Sequence, residues 1–109
     1  MSNTSPTTMD YSYWVEAKML TEGDARLVEN TLGLVGEAGE VAEKVKKLIR
    51  DSTKVDRDEI IKELGDVVFY ATALANYFDG SLEEVVEVNI DKLDGRERRG
   101  TLRGSGDTR

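Results

Sequence analysis

The 109-residue chain has no cysteine and no histidine. Disulfides are therefore excluded. Zinc-type centres lose their usual nitrogen and sulfur ligands, and no cysteine nucleophile or histidine base is available. Any bound metal has to be held by oxygen, which selects Mg²⁺, Mn²⁺ or Ca²⁺. The single proline is Pro6, in a Ser/Thr/Asn-rich lead over residues 1–8 that reads as extended or disordered. No apolar run approaches the ~20 residues of a membrane span. No basic segment followed by an apolar one opens the chain, so a signal peptide is not expected, no membrane partner is expected, and the cytoplasm is the expected compartment. Basic residues are in short supply as well. A formal net charge of −7 and a pI near 4.6 argue against nucleic acid as a partner. The shortage is uneven, with the last 16 residues carrying +2 and the rest −9. Strand alternation and internal repeats are also absent.

What the sequence does contain is helical periodicity. A short helix is expected from about Met9 to Leu20, with Gly23 as its C-cap and Asp24 as the next N-cap. A long helix from about Ala25 to Arg50 repeats Val28, Leu32, Val35, Ala42, Val45 and Ile49 at three and four spacing. Gly33, Gly36 and Gly39 interrupt it, each costing about 1 kcal/mol relative to Ala. Close helix–helix approach, or room for a ligand, gives them a reason. Residues 51–57 read as a polar loop and Asp58 as the N-cap of a central helix ending near Phe78. That helix is apolar nearly all round, through Ile60, Ile61, Leu64, Val67, Val68 and Leu74, and such helices are normally buried. Asp79-Gly80 is a turn. Ser81-Leu82-Glu83-Glu84 is a capping box opening a last helix through about Leu93. The expected fold class is all-α, a bundle of about four helices completed by homo-oligomerisation. The expected organisation is a lead over 1–8, one helical domain over 9–96, and an Arg/Gly-rich tail over 97–109.

Two acidic pairs sit inside this frame. Glu37 and Glu40 are three apart on the long helix, and Glu63 and Asp66 are three apart on the central one, so each pair shares a helix face. If the two helices pack antiparallel about a turn near residues 51–55, Glu40 and Glu63 are nearly equidistant from it and four carboxylates converge. Such a cluster is intolerable without cations and makes a good oxygen site with them. A di-iron carboxylate bundle uses Glu-x-x-His pairs, which the lack of histidine removes. Lys44 and Lys47 lie on the Glu40 side and read as charge partners within their own helix.

The last helix carries the opposite charge. Asn89, Lys92 and Arg96 fall within about 60° of one another. They read either as side chains snorkelling over a core edge or as a phosphate clamp of amide, point charge and fork. Tyr70, one turn beyond Asp66, and Trp14 with Tyr11 on the first helix are candidates for contact with a substrate. An aromatic on a short amphipathic helix is otherwise core.

Three segments resemble the MazG-like nucleoside triphosphate pyrophosphohydrolases. They are Gly33-Leu34-Val35-Gly36-Glu37-Ala38-Gly39-Glu40-Val41-Ala42-Glu43, then Lys62-Glu63-Leu64-Gly65-Asp66-Val67-Val68-Phe69-Tyr70, and then Asn89-Ile90-Asp91-Lys92-Leu93-Asp94-Gly95-Arg96. They look like the E-x-x-E … E-x-x-D pattern of that all-α superfamily with its downstream Asn-x-x-Lys-Leu-x-x-Arg segment. The ending from Arg99 to Asp107 is similar to that of short, single-domain phage and bacterial members. The resemblance implies Mg²⁺-dependent cleavage of an NTP or dNTP between the α- and β-phosphates, with Mn²⁺ as a substitute ion, and a dimer or tetramer with sites lined by more than one subunit. By carry-over, Glu37, Glu40, Glu63 and Asp66 hold the metal, with Glu37 or Glu40 as the base, and Asn89, Lys92 and Arg96 hold the triphosphate. A related all-α dUTPase, a phosphoribosyl-ATP pyrophosphohydrolase, and a non-catalytic helical module that uses metal for assembly are the alternatives.

Overall fold

A computed structural model describes residues 7–51 and 56–100. They form four helices: α1 (Thr8–Ala17), α2 (Gly23–Asp51), α3 (Arg57–Tyr77) and α4 (Leu82–Arg98). No strand occurs among the described residues. The all-α expectation holds, and most helix ends fall close to where the periodicity places them.

The differences have local causes. The lead ends two residues early: Thr7 caps α1, accepting from Asp10 N while Asp10 returns a carboxylate to the Thr7 N–H, a complete capping box. At its other end α1 stops at Ala17 rather than Leu20, with Lys18 as the C-cap. Leu20 is almost wholly exposed, so continuing the helix would bury nothing. Gly23 is then not the C-cap of α1 but the first residue of α2, at φ 56°, and Asp24 lies in the first turn, where the helix dipole favours an acid. Asp56, not Asp58, caps α3, accepting from Asp58 N at 2.9 Å. Both aspartates suit a cap, and the earlier one leaves Asp58 and Glu59 in the first turn. Helix α4 continues to Arg98 instead of ending near Leu93, through Gly95 and into the expected tail, because Gly95 and Arg96 are buried along it. Residues 101–109 of that tail, and residues 52–55 of the loop over 51–57, lie outside the described residues.

Helix α2 packs along α3, and α1 packs on α3 and α4. α4 meets α1 and α3 but not α2. The α2–α3 register is antiparallel and can be followed pair by pair. The Arg26 guanidinium lies over the Tyr77 ring at 6.0 Å, Gly33 faces Tyr70, Glu37 faces Asp66, and Lys44 reaches Glu59 at 3.8 Å. Each step forward along α2 is matched by an equal step back along α3. The polar seam continues at the top of the bundle. Arg26 makes a two-pronged bond to Glu16 of α1 (2.8 and 2.6 Å) and also donates to Ala73 O of α3. Ser12 ties the other side: its hydroxyl accepts from Leu82 N at 2.9 Å and its carbonyl accepts from Asn76 Nδ2 at 2.9 Å. Among the described residues the fully buried apolar core is small, comprising Val15 and Ala73.

Candidate active site

The α2–α3 register brings Glu37, Glu63 and Asp66 together, with one carboxylate oxygen of each lying within 4.8 Å of the others. Glu37 comes from the middle of α2, where its helical spacing from Arg26 and Gly33 turns it toward α3. Glu63 and Asp66 come from one face of α3, two turns and one turn before Tyr70 respectively. Glu37 and Glu63 are half-buried and Asp66 is exposed, so the group is open to solvent rather than sealed in. Glu40, one turn on from Glu37, is exposed and outside this tight group, though its charge reaches Glu37. The Glu63 carboxylate beside it pushes the Glu37 carboxyl above the usual carboxylate range, and slight desolvation and the charges of Asp66 and Glu40 push the same way. Lys44, expected to pair with Glu40 within α2, instead spans to Glu59 on α3, because the α3 side of the helix is where it points. Lys47 is exposed.

These residues fit a hard divalent cation. Three carboxylates at this separation repel one another. In addition, Glu63 Oε2 is buried with no hydrogen-bond partner among the described residues. A buried carboxylate oxygen without a donor is costly, and an oxygen-seeking ion removes that cost.

Aromatic rings border the acids. Tyr11 stacks on Trp14 at 5.6 Å, Trp14 meets Phe69 edge-on at 6.1 Å, and Phe69 meets Tyr70 edge-on at 5.4 Å. Burial first, and the Asp66 charge second, raise the Tyr11 hydroxyl above its ordinary value, which puts α1 beside the acidic group. The Tyr70 ring lies flat against Gly33, so that a Cβ there would come within 2.6 Å of its Cδ1 and Cζ. Gly33 therefore has the close-approach reason that its sequence position called for, whereas Gly36 and Gly39 meet nothing among the described residues.

Two of the three α4 residues border a groove of their own. Asn89 is exposed, Lys92 half-buried and Arg96 buried. Asn89 and Lys92 line an open groove of about 340 Å³ with Glu84, Val85 and Val88, and no residue of the acidic group borders it. Trp14 is half-exposed, with the Lys18 ammonium 5.2 Å from its ring centre. Phe69 and Asn30, which sequence reasoning passed over, border a second cavity that also includes Tyr70. Asn30 carried one usable signal: it lies seven residues before Glu37, on the same side of α2.

Compared with known proteins, residues 27–101 match the MazG nucleotide pyrophosphohydrolase domain. The chain belongs to the MazG family. This MazG domain contains both acidic helices and α4. The chain is also similar to the Gene 37 protein of Mycobacterium phage L5, with 47% identity over 80% of this chain and 83% of that protein. No solved structure matches it significantly. Membership places this MazG-domain chain among hydrolases acting on nucleotide phosphoanhydrides, and the triad of acids is the kind of centre such a reaction uses. Among the described residues no helix is long and apolar enough to cross a membrane.

Proposed function

We propose that the chain hydrolyses a nucleoside triphosphate between its α- and β-phosphates, releasing pyrophosphate and the monophosphate. In this reading Mg²⁺, or Mn²⁺ in its place, is held by Glu37, Glu63 and Asp66, with Glu40 completing the set from the rim. The observation that carries it is the convergence of three carboxylates around an unpartnered, buried Glu63 oxygen in a MazG domain. Phosphoryl chemistry needs positioning and charge neutralisation more than covalent help. The bound ion supplies that neutralisation and makes water a better nucleophile. One of the two glutamates on α2, Glu37 or Glu40, is assigned to accept the proton of the attacking water.

Asn89, Lys92 and Arg96 are assigned to the leaving phosphates. Helix α4 packs on α3 and not on α2, and the groove that Asn89 and Lys92 line contains none of the acids, so in this reading α4 of a neighbouring copy serves the acidic group. The distribution of apolar surface supports assembly. At 100° per residue, Val28, Leu32, Val35, Gly39 and Ala42 form a stripe roughly opposite Arg26, Gly33, Glu37 and Lys44. Helix α2 thus turns its polar face toward α3 and its apolar face outward, with Leu32 and Val35 each about two-thirds exposed. A helix of a self-sufficient monomer does the reverse. A dimer or tetramer burying this stripe is expected, and sedimentation at micromolar concentration checks it.

The activity is tested by pyrophosphate release from a panel of NTPs and dNTPs with Mg²⁺. Glu63→Gln is isosteric and removes one repelling charge, so the helical fold should persist while turnover falls roughly 100-fold or more. Near wild-type rates in that variant at saturating Mg²⁺ would overturn the site. Turnover of dUTP or phosphoribosyl-ATP alone would narrow the enzyme class. Metal-dependent assembly with no pyrophosphate release would make the chain an interaction module.

A further inference from the structure

We propose that the cavity between the α1–α2 connection and α3 receives the nucleobase of the substrate, and that Asn30 reads its hydrogen-bonding edge. The inference rests on the triphosphate reading above and deepens it to base recognition. The cavity has a volume of about 370 Å³, and Asn30, Leu32, Phe69, Tyr70 and Lys18 are among its walls. That suits a flat heterocycle set against two aromatic rings. Asn30 is 95% buried. Among the described residues its one side-chain hydrogen bond runs from Nδ2 to the Met19 sulfur at 3.6 Å, a weak acceptor. An amide carries four hydrogen-bonding positions, so this buried side chain keeps unused capacity at the cavity wall. Buried polar groups are ordinarily satisfied, and a base edge offering one donor beside one acceptor would satisfy this one.

The location agrees with the chemistry. Asn30 and Glu37 lie on one side of α2, seven residues or about 10 Å apart, with Gly33 and the overlying Tyr70 ring between them. A nucleotide with its base against Asn30 can thus run its sugar past Tyr70 and deliver its phosphates to Glu37, Glu63 and Asp66. The missing side chain at Gly33 allows the Tyr70 ring to lie back against α2 and form part of that path.

The test uses uncharged nucleosides and the single tryptophan, with no metal or turnover required. Trp14 touches Phe69 edge-on and lies under Lys18, and both of these residues border the cavity. Saturable quenching of Trp14 fluorescence by at least one of the common nucleosides is expected. Loss of the amide in Asn30→Leu should erase the ranking among bases, a change of roughly 5- to 150-fold for a bidentate pair. Asn30→Asp presents two acceptors and should shift the ranking toward guanosine, whose N1–H and N2–H₂ are adjacent donors. Absence of saturable quenching by every nucleoside overturns the proposal, as does an unchanged ranking in either folded variant. Pyrophosphate release on the matching triphosphates separates the two readings. Release with a ranking indifferent to residue 30 leaves the reaction standing and removes the base site. Quenching without release does the opposite.

Discussion

At the residue scale, the bond between Arg26 and Glu16 holds the first helix to the rest of the bundle. Arg26 is mostly buried and Glu16 about half-exposed, so solvent screening limits the pair to about 1 kcal/mol despite its two-pronged geometry. The Arg26 hydrogen bond holds the Glu16 carboxyl below the usual carboxylate range, against a smaller opposing effect of burial. A carboxylate with a lowered folded value stabilises the fold above its unfolded pKa, and that contribution disappears as pH falls through the folded value. Urea titrations of wild type and Glu16→Gln should therefore differ by about 1 kcal/mol at neutral pH and converge on acidification below the ordinary carboxylate range. A gap that persists in acid would mean that Glu16 acts by packing and not by charge.

At the scale of the elements, the α2–α3 pairing places the site, and it is the part of the fold most legible in the sequence. Equidistance of Glu40 and Glu63 from a turn near residues 51–55 predicts the same register that Lys44–Glu59 and Gly33–Tyr70 display. The register was readable because two long helices joined by a short polar segment have few ways to pack. Helix ends were less readable. Asp56 and Asp58 are equally good caps, and Gly95 marks an end by propensity that the burial of Arg96 overrides. The cavity beside Asn30 was not legible at all, since it arises from the α1–α2 connection, whose path no periodicity encodes. The three glycines of α2 give a prediction at this scale. Gly33→Ala gains about 1 kcal/mol of helix propensity but drives a methyl into the Tyr70 ring, so the ring must rotate away. The expected outcome is a lower melting temperature and a blue-shifted tyrosine environment. Gly36→Ala meets nothing among the described residues and should leave both unchanged or slightly improved.

At the scale of the whole molecule, the outward apolar stripe of α2 is the dominant feature. Val35→Glu puts a charge at its centre, and association in sedimentation experiments should be lost or weakened at least 100-fold, the order expected for burying an unpaired charge at an interface. Loss of assembly should take pyrophosphate release with it, while mixing Val35→Glu with wild type should not restore the mutant chains. The other side of the same feature is the meagre interior of the lone protomer, where Val15 and Ala73 are the fully buried apolar residues described. In the proposed assembly part of each chain's stability comes from its partner, and so depends on protomer concentration. The supply of assembled chains would then follow dosage non-linearly. For a dimer well below its dissociation constant, the assembled population would grow with about the square of the number of chains made, so the assembled fraction should rise steeply with expression.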